Sequence, residues 1–552
     1  MNKNYKWYMF VYYFMSLIFI ISYLYLQQKS YCYEWIIIDM FDLQIVLSLS
    51  YTYYNMIFLF TVCSVFTSVY HYSIYYMEGE MNIKRFLFLL ISFVVSMMIL
   101  ICSGNLFTSL IGWDGLGVSS MLLIMFYCSN ASLKASMYTF VINRIGDCFF
   151  LILIFSLMCK YPSTNLLMHN LLCLKNNFFI CLLILLAITK SAQVPFSSWL
   201  TKAMEAPTPV SSLVHSSTLV TAGIYILFLY QDIWKESKLF TFMLSILSLS
   251  TIFIASSAGL VEMDLKKIVA YSTLSQLGFI MFTFSLSLFH QGFFHLIMHA
   301  FFKALMFMGA GYLIHNSSGW QDIRYITLTN KCSPNILKIF CTAMLSLCGM
   351  PFLSGFYSKD MILDSFMKSN YSFFFFIILI ISFMFTVFYS FRVCWYLMES
   401  MKKILLMNDD SLGMINSMLY LLTLSCIMGS SVMWTLYPNF PPMNSPKIIM
   451  IMFLIIILTL FWVFPNVNKT LFFLKTNMYL YVIVNLVVYK FMTNIQKLMW
   501  FGDLLGVVGM VLKKLPKEIM FKGMSLKKEL FLMYSKEFFL FFFMMLSLII
   551  FL

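Results

Sequence analysis

The sequence predicts an all-α polytopic membrane protein of about 15 transmembrane helices, and three observations carry that prediction. Of its 552 residues, 61% are hydrophobic and only 11% charged, against roughly a quarter charged and about half apolar in ordinary soluble domains. The mean hydropathy of +0.88 leaves too little polar surface to solvate a globule. The apolar residues also come in long runs rather than short alternating segments, the pattern of helices and not of a transmembrane barrel. A cytosolic enzyme, a disordered chain and a secreted disulfide scaffold are thereby excluded.

A span needs ~20 apolar residues. Segments of that kind lie near 7–26, 45–70, 84–102, 105–127, 133–157, 171–193, 208–230, 240–260, 264–286, 288–314, 336–357, 371–398, 415–437, 447–465 and 537–552. The opening Met1-Asn-Lys-Asn-Tyr-Lys leads into a span long enough to stay in the membrane, with no cleavage site apparent. Two spans are interrupted: Lys190-Ser-Ala-Gln-Val-Pro195 breaks the sixth, and Gly349-Met-Pro351 with Gly355 breaks the eleventh. Proline and glycine free backbone groups that lipid cannot satisfy, so such breaks belong in the protein interior or beside water. Each break carries a lysine, Lys190 or Lys359. Spans three to seven and eight to twelve therefore read as two matched sets, 84–230 and 231–398, each with a broken fourth member. Paired broken helices in two halves point to an inverted-repeat transporter.

Around these sets the chain divides into N-terminal helices (1–83), additional spans (399–469), a basic stretch (470–535) and a terminal anchor (536–552). The basic stretch holds Lys497, Lys513, Lys514, Lys517, Lys522, Lys527 and Lys528, too many for lipid-facing spans. Ile495, Leu498, Met499, Leu505, Val508 and Leu512 recur there at near-helical spacing. That predicts a long lateral amphipathic helix along the membrane surface or across neighbouring helices; residues 478–492 read equally well as a further span.

The 36 basic and 22 acidic residues give a net charge of +14. The basic residues are scattered through short connections and the C-terminal stretch, which points to anionic lipid, cardiolipin included, and away from nucleic acid. None of the 13 cysteines forms a C-x-x-C, the closest pair being Cys341 and Cys348. Most sit in apolar runs as small hydrophobes, so neither an iron–sulfur, zinc nor disulfide framework is expected. No glycine-rich dinucleotide fingerprint follows a strand.

An ionised side chain in mid-membrane costs at least ~2.5–3.5 kcal/mol, so the intramembrane charges need a reason. They are Asp114 in the fourth span, Arg144 and Asp147 in the fifth, Lys190 at the end of the sixth run, and His215 in the seventh. His295, His299 and Lys303 follow in the tenth, and Lys359 with Asp360 ends the eleventh. Steps of four put His295, His299 and Lys303 on one helix face, ~6 Å apart in rise. Such a stripe can organise water into a proton-conducting file. The H-x-x-x-H spacing lacks the glutamate of a zinc peptidase, having Leu296 instead. Burial weakens a lysine's hold on its proton and a nearby carboxylate restores it, so a Lys–Asp pair is switchable. Asp114 with Lys190 is the expected pair at one end, Lys359 beside Asp360 at the other, with histidine relaying between them. Asp147 reads equally as the counter-ion of Arg144. The clusters Glu262, Asp264, Lys266, Lys267 and Asp322, Arg324 read as solvated loops.

Several motifs occur in order over roughly residues 100–360: Gly112-Trp-Asp-Gly-Leu-Gly, Asn143-Arg-Ile-Gly-Asp, Lys190-Ser-Ala-Gln, Met204-Glu-Ala-Pro-Thr-Pro-Val-Ser-Ser-Leu-Val-His, Ala270-Tyr-Ser-Thr-Leu-Ser-Gln, Phe294-His-Leu-Ile-Met-His-Ala-Phe-Phe-Lys and Gly355-Phe-Tyr-Ser-Lys-Asp. By these the chain resembles the antiporter-like, proton-translocating subunits of mitochondrial NADH:ubiquinone oxidoreductase (respiratory complex I), and within them the subunit 5 family. The resemblance implies two inverted five-helix repeats and a polar axis along the midplane, with Asp114, Lys190, His215, Lys303 and Lys359 at proton-path positions. Asp147, Arg144, His295, His299 and Asp360 would support them. It also implies a multi-pass place in the mitochondrial inner membrane beside other antiporter-like and accessory subunits. NADH, flavin, iron–sulfur clusters and ubiquinone would bind partner subunits, with no redox or metal site in this chain. Many relatives carry glutamate where Asp114 stands, and many have two spans where one precedes Asp39 and Asp42 here. Two other readings share the pattern: a subunit of a multi-subunit sodium/proton antiporter, and a membrane-arm scaffold that has lost pumping.

Overall fold

The computed structural model describes residues 30–40, 43–158, 177–317, 319–329, 334–367, 373–401 and 412–436, all within the first of the chain's two compact units, Met1–Asn466. The expected features at 7–26, 447–465, 470–535, 478–492 and 537–552 lie outside the described residues. Strands β1 (Tyr31–Met40) and β2 (Leu43–Tyr51) come first, followed by α1 (Tyr53–Tyr76), α2 (Ile83–Cys102), α3 (Leu106–Ile124), α4 (Asn130–Met158) and α5 (Asn177–Lys190). Short turns at Ser198–Lys202 and Ala203–Glu205 lead to α6 (Thr208–Leu229). Then come α7 (Lys238–Val261), α8 (Leu265–Ser285), α9 (Phe289–Asn316), α10 (Pro334–Cys348), α11 (Ser354–Met367), α12 (Phe373–Met401) and α13 (Leu412–Leu436). Ten of the described helices are long and apolar enough to cross a membrane, while α5 and α10 are shorter apolar helices.

Two expectations are corrected. The described residues are not all helical: β1 and β2 pair antiparallel, from Tyr31 opposite Tyr51 to Met40 opposite Leu43, with an irregularity between Ile36 and Ile38. The span expected at 45–70 is thus a strand followed by a helix. Ile36, Ile37, Ile38, Ile45 and Val46 favour the pleated backbone, and hydropathy alone does not separate a strand from a helix. The eleventh span, expected at 336–357, is two helices, α10 and α11, parted by a turn in which Gly349 takes a φ of +85° that glycine adopts freely.

Burial ranks the helices. The apolar window of α9 is wholly buried, whereas α12 and α13 each bury 39% of theirs. α9 packs against α1, α6, α8, α10, α11 and α13, so it occupies the centre. Serine and threonine hydroxyls along the bundle mostly donate to carbonyls of the preceding turn, as Thr61 does to Phe58 (2.8 Å) and Thr273 to Ala270 (2.7 Å), which keeps polar groups satisfied within one helix. Where helices touch most closely, glycine replaces a side chain: a β-carbon on Gly112 of α3 would lie 2.7 Å from the Leu100 nitrogen of α2.

The carbonyls at the end of α7 lack partners within their own helix. Arg392 of α12 supplies them, donating to Gly259 (3.0 Å), Glu262 (2.6 Å) and Leu260. Arg392→Met should therefore lower the thermal unfolding midpoint of the detergent-solubilised protein, by the equivalent of about 3 kcal/mol for charged hydrogen bonds lost. An unchanged midpoint would show that water serves the α7 terminus as well.

Candidate functional site

The first cluster joins α3, α4 and α5. Trp113 is fully buried, and its indole N–H donates to Asp147 Oδ1 at 2.8 Å. Its carbonyl accepts from Lys190 Nζ at 2.6 Å, and the same ammonium lies 4.0 Å from the centre of the Trp113 ring. Asp147 also meets Arg144 at 3.1 Å, one turn earlier on α4. Asp114 is placed differently from the expected pairing with Lys190. It lies 3.5 Å from Arg144, with both side chains about two-fifths exposed, and Lys190 has no carboxylate within ion-pair distance among the described residues. Successive helix residues point in different directions, so Asp114 faces Arg144 while Trp113 serves Lys190. Asp147 reaches Lys190 through Trp113, whose indole N–H it accepts and whose carbonyl the lysine holds.

The second cluster is α6. Its segment Ser211–Thr218 winds as a π-helix, with Thr218 Oγ1 donating to Leu213 O five residues back (2.8 Å). His215 is fully buried, and neither ring nitrogen has a hydrogen-bond partner among the described residues. Trp199 links it to the first cluster: its ring lies 6.1 Å from the imidazole, and its N–H donates to Thr189 O (3.0 Å), beside Lys190. Past the α5 break, Gln193 Oε1 accepts from Thr251 of α7 (2.7 Å).

The third cluster surrounds α9. His295, His299 and Lys303 are all fully buried. His295 Nε2 lies 3.2 Å from Gln276 Oε1 and Nδ1 2.9 Å from Ser358 Oγ. Which nitrogen of His295 donates in these two contacts depends on its tautomer. Lys303 Nζ donates to Ser272 Oγ at 2.6 Å. His299, between them, has no hydrogen-bond partner at either nitrogen among the described residues. Lys359 of α11 is buried and donates to Leu347 O of α10, across the break. Its neighbour Asp360 is half-buried and acts on the Lys359 charge.

The structure adds Gln276, Ser272, Ser358, Gln193 and Thr251 to the residues expected from sequence. Ser272 and Gln276 stand four apart, on one face of α8, a spacing that could have revealed them. Lys266 is a correction: it is only 6% exposed and donates to Ala206 O at 3.1 Å, not a solvated loop residue. Its neighbours keep the surface role, Lys267 pairing with Asp264 (2.5 Å) and Arg324 with Asp322 (2.6 Å).

The three clusters fall within one stretch of similarity. A family model described as NADH:quinone oxidoreductase/Mrp antiporter, TM, matches residues 103–386. The chain belongs to this family. NADH-ubiquinone oxidoreductase chain 5 of Aedes aegypti is 40% identical over 502 residues, covering 88% of this chain and 83% of that one. The protein of the same name from Caenorhabditis elegans is 41% identical over 406 residues, or 73% and 74% of the two chains. Among solved structures, a chain of the Mrp complex from Dietzia sp. DQ12-45-1b aligns with a TM-score of 0.60 at 19% identity, over 87% of this chain and 60% of that one. That likeness concerns the fold: a polytopic helical membrane protein of the antiporter-like kind.

The two carboxylates of the first cluster should differ in weight. Asp147 is 9% exposed at its side chain and serves both Trp113 and Arg144, so Asp147→Asn should destabilise the protein by about 2–4 kcal/mol. Asp114→Asn, at an exposed pair, should cost about 0–1 kcal/mol. Thermal midpoints of the two variants in detergent measure the order; the reverse order would refute this placement of the charges.

Proposed function

We propose that this chain is a membrane-arm subunit of respiratory complex I that moves protons across the mitochondrial inner membrane, driven by electron transfer from NADH to ubiquinone in partner subunits. The observation that carries the reading is the stripe His295, His299, Lys303 on a helix buried from Gln291 to Ile314, joined through Ser358 and Gln276 to the neighbouring helices. Groups that gain and lose protons gain nothing for stability from such burial. They make sense as stations for a mobile charge.

In this reading Lys190, His215, Lys303 and Lys359 carry protons, with Asp114 and Asp147 as the charges that modulate Lys190. His295, His299, Arg144 and Asp360 support the transfer. Residues 84–230 and 231–398 form two inverted repeats of five helices, each with a lysine at its broken member. NADH, flavin, iron–sulfur clusters and ubiquinone are held by other subunits, and anionic lipid lies against the basic connections. The relatives named chain 5 favour this assembly. The likeness to a chain of an Mrp complex favours a second reading, a sodium/proton antiporter subunit working without a redox partner.

Lys303→Ala and Lys359→Ala test the proposal in the assembled complex in sealed vesicles. NADH oxidation by an artificial acceptor should persist, while protons moved per NADH oxidised should fall. Full proton movement with normal assembly would instead mark the chain as a scaffold. Sodium transport by the chain in the absence of any NADH dehydrogenase would favour the antiporter.

A further inference from the structure

We propose that Lys266, at the head of α8, takes up protons where α6 begins and passes them along the hydroxyl-lined side of α6 to His215, an entry point that rests on the proton-translocating reading above. Lys266 is buried, yet its only hydrogen bond among the described residues goes to the Ala206 carbonyl. Ala206 adjoins Glu205, which is exposed and whose charge acts on both Lys266 and Lys267. A surface carboxylate thus stands beside a buried amine.

A second observation marks the way inward. Thr208 Oγ1 and the Tyr72 hydroxyl are buried and near enough to act on one another, yet neither makes a hydrogen bond of normal geometry among the described residues. Both converge on one point, since a β-carbon on Gly311 would lie 2.6 Å from Thr208 Oγ1 and 2.7 Å from the Tyr72 oxygen. Glycine at 311 keeps that point free of side chain. Leaving a buried hydroxyl unsatisfied costs about 1–3 kcal/mol, so each of these two hydroxyls has a hydrogen-bonding capacity that packing alone leaves unused. From Thr208 the fully buried Ser211, Ser212, His215 and Ser216 follow on α6. Their hydroxyls donate to their own helix, as Ser211 does to Thr208 O (2.8 Å) and Ser212 to Pro209 O (2.8 Å), and their lone pairs stay available. His215 lies ~10 Å along the helix from Thr208, and its two nitrogens are also without hydrogen-bond partners among the described residues. Unsatisfied groups therefore stand at both ends of the hydroxyl run.

The test uses the assembled complex in sealed vesicles with Lys266→Arg, Thr208→Val and, as reference, Lys303→Ala. Arginine keeps the charge and a donor for Ala206 O but does not release its proton. Lys266→Arg should assemble and oxidise NADH, with proton movement reduced to the level of Lys303→Ala. Thr208→Val should lower proton movement as well; a dry hydroxyl would instead leave pumping intact and raise thermal stability. Normal pumping by both variants beside a defective Lys303→Ala overturns the proposal, with Lys266 then a structural tether. Should Lys266→Arg fail to assemble, Thr208→Val decides by itself. Normal pumping by Lys303→Ala would instead reject the underlying proton-translocating reading.

Discussion

Lys303 is fully buried on α9, against which six helices pack among the described residues, and the bundle around it is arranged by that enclosure. An ammonium in hydrocarbon demands partners or a route for its charge. Among the described residues the hydrogen-bond partner is a single serine hydroxyl at 2.6 Å. His295 and His299, which precede it on α9, are equally enclosed, one held by Gln276 and Ser358 and the other with no hydrogen-bond partner among the described residues. Among the bulky apolar side chains that pack on α9, such as Phe279 against His295 and Phe228 against Phe293, the flanking helices place Ser272, Gln276 and Ser358 at the polar stripe.

The other buried lysines follow a common rule. Lys190, Lys266 and Lys359 each donate to a main-chain carbonyl, of Trp113, Ala206 and Leu347 respectively. None has a carboxylate within ion-pair distance among the described residues, whereas the more exposed Lys235 and Lys267 do. A carbonyl dipole stabilises an ammonium without neutralising it, so the charge stays responsive to small movements of its surroundings. The helix interruptions matter for this reason: beyond Lys190, before α6 and between α10 and α11, the backbone leaves regular helix close to a lysine. Carboxylates act at longer range, Asp147 and Asp114 on Lys190, and Asp360 on Lys359.

Much of this is legible in the residues, because a helix of known pitch converts spacing into direction. Steps of four suffice to put His295, His299 and Lys303 on one side of α9, and Pro351 with Gly349 announces the division of the eleventh span. The partner of Lys190 is not legible. Which face of α3 turns inward depends on its packing against α2 at Gly112, and that packing assigns the carbonyl of Trp113, rather than the carboxylate of Asp114, to the lysine. Lys266 reads as a loop residue because Asp264 and Lys267 beside it do lie nearer the surface, and one helical step separates a solvated charge from a buried one. The β1–β2 hairpin escapes notice because total apolarity, unlike alternation, says nothing about backbone conformation.

The bond from Lys359 to Leu347 spans the gap between α10 and α11. An ammonium on one half-helix is thereby moored to the other half, so mechanical and electrical events at this point are not separable. Any sliding of α10 against α11 would strain this bond and so act on the charge. A discontinuous helix of this construction works as a latch whose bolt is a buried charge.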